Sequence, residues 1–132
     1  MTPFPTPAVG DAPPTRSFGP VTQTDVVRFA GASGDFNPLH HDPARARAAG
    51  FAAPIAMGQL TAGLLVGWLT DWCGVARLRR YEVRFTAPLH LGDTVTFSGT
   101  VTDVTGGVAT LEVRATGRDG DLITGSAVVA VP

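Results

Sequence analysis

The sequence predicts an α+β domain in which an antiparallel sheet wraps around one long buried helix. Two observations lead to this fold class. Apolar side chains cover most of the helical circumference over 58–72, as is typical of a helix that is buried on all sides. From residue 79 onward, apolar and polar residues alternate with a period of two, in segments separated by glycine-containing turns. This alternation indicates consecutive antiparallel strands packed against the helix.

The composition bounds the size of the protein and excludes several function classes. A chain of 132 residues has room for one domain with one core. Its net charge is −1, and its ten basic residues, all arginines, are interspersed with acidic residues, so we expect no nucleic-acid partner, which would need a concentrated basic surface. The absence of lysine excludes Schiff-base chemistry on a lysine side chain. A single cysteine, Cys73, excludes an intramolecular disulfide and a cysteine-rich zinc site.

The segment 1–16 is predicted to be an extended, proline-rich N-terminal arm, followed by a single domain over 17–132. Five of the eleven prolines lie within the first fourteen residues, and this density prevents a helix or a central strand. We expect the arm to lie on the body of the domain or to reach a partner subunit. No basic stretch followed by an apolar one opens the chain, so we expect a cytoplasmic, reduced setting.

Two shorter helices are predicted before the buried one. Thr22 and Asp25 have the spacing of a capping box, which predicts a helix over about 24–32. Pro43 suits the first turn of a short helix that ends near Gly50. The buried helix itself is shorter than the roughly 20 residues needed to cross a bilayer, so we expect no membrane partner.

The alternation in the second half of the chain predicts four strands, over 81–87, 94–102, 110–116 and 123–131. The pair Gly106 and Gly107, and then the pair Asp119 and Gly120, separate the later strands, and such pairs are typical of tight hairpin turns. We therefore predict that these strands form an antiparallel meander.

The loop 33–42 carries the densest cluster of polar side chains in the sequence. Asp35 and His40 lie five residues apart on either side of Pro38, in a segment that must turn. A carboxylate and an imidazole that converge on one water molecule are suited to general acid–base catalysis. We expect Asn37 to hold the loop through side-chain to backbone hydrogen bonds. The alternative is a solvated surface turn without a catalytic role.

A second chemical feature is the start of the buried helix at Met57, Gly58 and Gln59. Free backbone N–H groups and the helix dipole stabilise an oxygen atom that gains negative charge, and glycine lets a ligand approach the backbone closely. Together with the acid–base pair, this helix start is suited to adding water to a compound conjugated to a carbonyl group, or to removing it.

Metal binding is the alternative role for His40, His41 and Asp42. Adjacent histidines seldom point the same way and no further pair of ligands stands out, so we expect no metal.

Two clusters outside the loop have structural interpretations. Trp68 and Trp72 are four residues apart on one helix face, which favours packing in the core or in a dimer over stacking on a substrate. Arg77, Arg79 and Arg80 form the only basic cluster. They are either the solvated start of a strand or a site that steers a phosphate group.

A family signature is present at 29–40, which reads FAGASGDFNPLH. It resembles the hydratase signature of the MaoC-like (R)-specific enoyl-CoA hydratases and (3R)-hydroxyacyl-thioester dehydratases. The similarity continues at 41–43, 48–51, 54–58, 81–88 and 92–95, and it covers nearly the whole chain beyond the arm. Its core, Gly-Asp-x-Asn-Pro-x-His, is a specific motif.

This resemblance implies a hot-dog fold, usually dimeric, in which a curved antiparallel sheet wraps around a long central helix. It also implies reversible syn hydration of trans-2-enoyl thioesters, carried on CoA or on the phosphopantetheine of an acyl carrier protein, to (3R)-3-hydroxyacyl thioesters. Asp35 and His40 match the catalytic dyad of the family, Asn37 matches the residue that supports the loop, and Gly58 matches the glycine whose N–H binds the thioester carbonyl. No metal or redox cofactor is implied, because the thioester carbonyl is itself the electron sink.

Two differences from the family concern the substrate pocket. Many members have a histidine directly before the glycine of the central helix, where this chain has Met57, and the following residue is Gln59. Some members have a serine near the position of Val66, and Thr61 is the nearest hydroxyl here. We therefore expect Met57, Gln59 and Thr61 to line a substrate pocket of different shape.

Two alternative functions are consistent with the resemblance. One is a hot-dog acyl thioesterase, in which the activated water attacks the thioester carbonyl. The other is a non-catalytic stabilising subunit of a heterodimeric dehydratase. The intact pair of Asp35 and His40 favours the hydratase. The expected partner is a second copy of the chain, with a heterodimer as the alternative, and an acyl carrier protein is a further candidate partner.

Overall fold

The computed structural model describes residues 3–132, which contain three α-helices and five strands. The helices are α1 (Gln23–Ser33), α2 (Pro43–Ala48) and α3 (Gly58–Cys73). The strands are β1 (Arg16–Phe18), β2 (Leu78–Phe85), β3 (Val95–Thr105), β4 (Val108–Gly117) and β5 (Gly120–Ala130). Two short 3-10 turns lie at Pro38–His40 and Val75–Arg77. All three predicted helices and all four predicted strands are therefore confirmed, with small shifts at their ends.

The first helix begins at the capping box that the sequence predicts. The Asp25 N–H donates to the Thr22 hydroxyl oxygen (3.1 Å), and the Thr22 N–H donates to the Asp25 carboxylate (2.9 Å). The same backbone and hydroxyl contacts with Thr22 hold the pKa of the Asp25 carboxyl below its usual range. The helix ends at Gly34, whose φ of 78° is the left-handed conformation that favours glycine at this position.

The central helix α3 lies against the inner face of the sheet and forms the middle of the core. Leu65 and Leu69 are fully buried and belong to one hydrophobic cluster with the strand residues Phe97 and Leu111. The helix ends at the buried Cys73. Burial raises the pKa of its thiol, as expected for a small apolar side chain that is not a nucleophile. Within the described residues, no helix is both long and apolar enough to cross a membrane.

The five strands form one antiparallel sheet in the order β1, β3, β4, β5, β2. The predicted meander is confirmed for β3, β4 and β5, but it is wrong for β2, which pairs with β5 instead of β3. The reason is that alternation determines which side chains face the core and not which strand lies alongside. The segment 86–94 carries the chain from one sheet edge toward the other. At that other edge of the sheet, β1 pairs with the side of β3 that does not contact β4. The sequence analysis does not predict β1.

The N-terminal arm lies across α3 and along β3. The Phe4 ring meets the Trp72 ring edge-on, with 4.9 Å between centroids. The Trp68 indole N–H donates to the carbonyl oxygen of Pro14 (2.8 Å), and the Gly10 N–H donates to the carbonyl oxygen of Val101 (2.8 Å). Both tryptophans of α3 therefore pack against the chain's own N-terminal segment, in agreement with the predicted packing role.

Replacing Trp68 by phenylalanine is expected to lower the free energy of unfolding by about 1 kcal/mol, because it removes the hydrogen bond to Pro14 while keeping an aromatic ring. The measurement is urea denaturation followed by circular dichroism. Trp72→Phe is the matched control, since the Trp72 ring makes an edge contact with Phe4 and a phenylalanine can retain it. Equal unfolding free energies for Trp68→Phe and the unmodified protein would contradict this role of the Pro14 contact.

Candidate active site

The polar loop after α1 is held by hydrogen bonds among its own residues. The Asp35 N–H donates to the Ser33 hydroxyl (3.3 Å), and the Asn37 N–H donates to Asp35 Oδ1 (3.3 Å). Asn37 Oδ1 accepts a hydrogen bond from the Leu39 N–H (3.0 Å), which starts the 3-10 turn at Pro38–His40. Short polar side chains at such positions form turns of this kind. The loop-supporting contacts expected of Asn37 are therefore present.

The turn directs the His40 ring into the protein, where its side chain is only 10 % exposed. His40 Nδ1 lies 2.8 Å from the carbonyl oxygen of Ile55. Because a carbonyl oxygen only accepts hydrogen bonds, Nδ1 carries a proton, and this tautomer presents Nε2 as an acceptor. The Gln23 side chain donates to the His40 carbonyl oxygen (2.8 Å), which ties this turn to α1.

The carboxylate of Asp35 lies beside the free nitrogen of His40. The distance from Asp35 Oδ2 to His40 Nε2 is 3.6 Å, which is too long for a direct hydrogen bond. Two acceptors at this spacing can both receive hydrogen bonds from one water molecule. The Asp35 side chain is 38 % exposed, so water reaches the carboxylate from the surface.

His40 also lines a cavity of about 320 Å³ that extends along the start of α3. Its exposed end is bordered by Gly58, Gln59 and Phe85. Its inner wall is mostly apolar and includes Ile55, Leu89 and Ile123, together with the buried Thr61. The volume is at the lower end of the range for pockets that bind small molecules.

Gly58 lies in close contact with the Phe85 side chain at the cavity entrance. A Cβ atom at this position would lie 2.7 Å from Cδ1 and Cε1 of the Phe85 ring. Met57, the residue that precedes the helix, makes no side-chain capping hydrogen bond. The first N–H groups of α3 therefore have no side-chain cap at a helix end that borders the cavity, where they can donate to a ligand.

Of the residues that the sequence analysis proposes for the substrate pocket, some line the cavity and others do not. Gln59 and Thr61 line the cavity together with Gly58. Met57 does not line it and is 2 % exposed in the hydrophobic core. Asn37 stays on the exposed loop outside the cavity.

The groups considered for a metal lie in different environments. The Asp42 carboxylate accepts from the Ala44 N–H (2.9 Å) and caps α2, whereas His41 is exposed and His40 is buried. Among the described residues, no group of three or more His, Cys, Asp or Glu side chains is arranged to hold a metal ion.

The arginine cluster lies at the far end of β2 from the cavity. Arg77 lies over the Phe4 ring at 5.3 Å, and Arg80 forms an ion pair with Glu82 at 2.6 Å. Leu78 starts the strand and Phe85 ends it at the cavity, a separation of about 20 Å for an extended strand. Within one chain, these arginines contact the arm and the strand and do not reach the site.

Sequence reasoning did not identify Phe85, Leu89 and Ile123 as cavity residues. The sequence predicted the strands that contain Phe85 and Ile123, but nothing local indicated where β2 ends relative to α3. Phe85 and Ile123 meet because β2 pairs with β5, the pairing that the predicted meander missed.

Comparisons with known proteins identify the family of the chain. The family model described as a MaoC like domain matches residues 5–119. The chain belongs to the MaoC-like dehydratase family. Among curated relatives, the (R)-specific enoyl-CoA hydratase of Aeromonas caviae is 40 % identical over 114 residues, covering 82 % of this chain and 84 % of that protein. The 3-oxo-4,17-pregnadiene-20-carboxyl-CoA hydratase beta subunit of Mycobacterium tuberculosis is 39 % identical over 103 residues, covering 76 % of this chain and 79 % of that protein.

Solved structures of MaoC-like proteins share the fold. A chain of the ChsH1-ChsH2 complex from Mycobacterium tuberculosis superposes with a TM-score of 0.86 and 31 % identity, covering 95 % of this chain and 98 % of that chain. The (R)-hydratase from A. caviae involved in PHA biosynthesis superposes with a TM-score of 0.82 and 34 % identity, covering 95 % of this chain and 97 % of that chain. The predicted α+β hot-dog fold is confirmed, and so is membership of the MaoC-like family.

Proposed function

We propose that this chain is a hydro-lyase that reversibly adds water to trans-2-enoyl thioesters and forms (3R)-3-hydroxyacyl thioesters. The observation that carries the proposal is the pair of Asp35 Oδ2 and His40 Nε2, 3.6 Å apart beside a mostly apolar cavity. The homologous (R)-specific enoyl-CoA hydratases support the same reaction class. Hydration and dehydration are the forward and reverse directions of one reversible reaction, so the same site catalyses both.

In the proposed mechanism, one water molecule bridges Asp35 and His40. Asp35 takes a proton from the water, while His40 Nε2 accepts a hydrogen bond from it and orients its oxygen. The water oxygen bonds to C3 of the enoyl chain, and the electron pair of the double bond moves toward the thioester oxygen. The dyad then delivers a proton to C2 from the same face, which completes the net addition of water.

The proposed role of Gly58 is to stabilise the oxygen that becomes negatively charged. Its N–H lies at the uncapped start of α3, where the helix dipole also favours negative charge. The thioester carbonyl is the electron sink of this reaction, so the proposed chemistry needs no metal or redox cofactor. The acyl group is proposed to arrive on CoA or on the phosphopantetheine of an acyl carrier protein.

A dimer is proposed as the working assembly, with two copies of this chain as the first candidate. A heterodimer is the second candidate, because one relative is a hydratase beta subunit and one similar structure is the ChsH1-ChsH2 complex. Sedimentation equilibrium of the purified chain distinguishes a monomer from a homodimer.

The reaction is tested with the purified chain and crotonyl-CoA. We expect loss of the enoyl absorbance without release of free thiol, and chiral chromatography should identify (3R)-3-hydroxybutanoyl-CoA as the product. Release of free CoA at a matching rate would assign the chain to the thioesterases. A folded chain with no turnover on CoA or acyl-carrier-protein substrates would instead favour the non-catalytic subunit.

A further inference from the structure

The backbone carbonyl of His40 cannot find a hydrogen-bond donor in the residues that follow it. His40 is the last residue of its 3-10 turn. The residue three positions later, whose N–H would continue the turn, is Pro43, and proline has no N–H. The next N–H belongs to Ala44 and donates to Asp42 Oδ1 instead (2.9 Å). The His40 carbonyl therefore depends on a donor from another part of the chain.

Gln23 supplies that donor from the start of α1. Its side-chain N–H donates to the His40 carbonyl oxygen over 2.8 Å, from a position 17 residues earlier in the chain. Gln23 is the first residue of the helix, and the capping box of Thr22 and Asp25 fixes the backbone around it. The donor is thus a half-buried side chain at a well-defined helix start.

Through this contact, α1 is connected to both members of the proposed dyad. Its first residue binds the backbone of His40, and its end continues through Gly34 directly into Asp35. The hydrogen bond from His40 Nδ1 to the carbonyl oxygen of Ile55 orients the ring, but it does not link His40 to α1. The spacing of 3.6 Å between Asp35 Oδ2 and His40 Nε2 therefore depends on the Gln23 contact.

We propose that Gln23 is a positioning residue for His40. This inference rests on the proposed hydratase function. Gln23 does not line the cavity, and it acts by holding the His40 turn at the distance from Asp35 at which both groups contact one water molecule. A displacement of about 1 Å at a reacting group can lower the rate about 100-fold. Loss of the contact therefore slows the chemical step, whereas the cavity that binds the substrate is unchanged.

The test replaces Gln23 by methionine, which has a similar length and shape but no N–H donor. For crotonyl-CoA hydration, we expect Gln23→Met to lower kcat about 10-fold, as for a modest displacement of a catalytic group, with KM changed less than twofold. Trp68→Phe is the matched control, because it also removes one side-chain hydrogen bond to a backbone carbonyl but lies outside the cavity. Its kcat should equal that of the unmodified protein.

A double-mutant cycle shows whether Gln23 acts through His40. When Gln23→Met is added to His40→Gln, we expect kcat to fall less than twofold further, because no imidazole remains to be positioned. A general structural role of Gln23 would instead lower kcat by the same factor in both backgrounds.

A third measurement reports the position of His40 without turnover. In protein labelled with nitrogen-15 at histidine, the exchange of the His40 Nδ1 proton with water reports its hydrogen bond to the Ile55 carbonyl. We expect this exchange to be at least about threefold faster in Gln23→Met than in the unmodified protein, because the turn is less firmly held.

Three outcomes would overturn the inference: a kcat for Gln23→Met within twofold of the unmodified protein, equal losses in the two backgrounds, or equal proton exchange. Failure of the proposed function is distinguishable, because the unmodified protein would then hydrate no enoyl thioester. In that case the catalytic role of Gln23 fails with the reaction, and the exchange measurement still shows whether Gln23 holds the His40 turn.

Discussion

Replacing Asp35 by asparagine is expected to lower kcat for crotonyl-CoA hydration about 1,000-fold, within the range for a general acid–base group. The amide has nearly the same shape as the carboxylate, and its oxygen can still accept the Asn37 N–H that Asp35 Oδ1 accepts now. It cannot take the proton that the proposed mechanism assigns to the carboxylate. The fold should therefore persist while the chemistry is lost.

The measurement is steady-state kinetics with circular dichroism to verify the fold. Asp42→Asn is the matched control, because Asp42 belongs to the same loop but caps α2, and asparagine caps a helix as well as aspartate does. Its kcat should be unchanged. If Asp35 and His40 act on one water molecule, adding His40→Gln to Asp35→Asn should lower kcat little further. Near-normal turnover by Asp35→Asn would remove Asp35 from the mechanism.

Replacing Gly125 by alanine is expected to destabilise the protein by about 3 kcal/mol, at the upper end of the usual cost of overpacking. A Cβ atom at this position would clash with the carbonyl oxygen of Glu82 on the neighbouring strand. That oxygen belongs to the backbone of β2, so no side-chain rotation relieves the contact. The pairing of β2 with β5 must loosen.

The effect should extend to the candidate active site, because this strand pair brings Phe85 and Ile123 together at the cavity. Urea denaturation gives the stability and crotonyl-CoA kinetics give the activity. Gly31→Ala in α1 is the control: a Cβ there meets no atom within 4 Å, and alanine in a helix interior is favoured by about 0.5–1 kcal/mol. A Gly125→Ala protein as stable as Gly31→Ala would mean that β2 and β5 tolerate a wider separation.

The local elements of the fold were predictable because their signals lie within a few residues. Thr22 and Asp25 marked the start of α1, and their reciprocal hydrogen bonds are present. Apolar residues around the whole circumference marked α3 as buried, and the helix spans Gly58–Cys73. Paired glycines marked the turn between β3 and β4, where Gly106 and Gly107 have φ of 63° and 81°.

The candidate site was predictable only in its local part. Asp35, Asn37 and His40 belong to one continuous motif, and their arrangement follows from hydrogen bonds between near neighbours. The residues that line the cavity come from segments that are distant in the sequence, so no single segment predicts which residues form the cavity wall. Of the two residues that flank Gly58, Gln59 belongs to α3 and borders the cavity, whereas Met57 precedes the helix in an extended conformation and lies in the core.

By itself, the sequence determined the three helices, four of the five strands, and the loop that carries Asp35 and His40. The tertiary structure alone decided that β2 lies beside β5, that Phe85 closes over Gly58, and that Thr61 rather than Met57 faces the cavity. The physical reason is the range of the interactions. Capping, turn formation and periodicity act within about one turn or one hairpin, whereas strand order and cavity shape depend on how the whole core packs around α3.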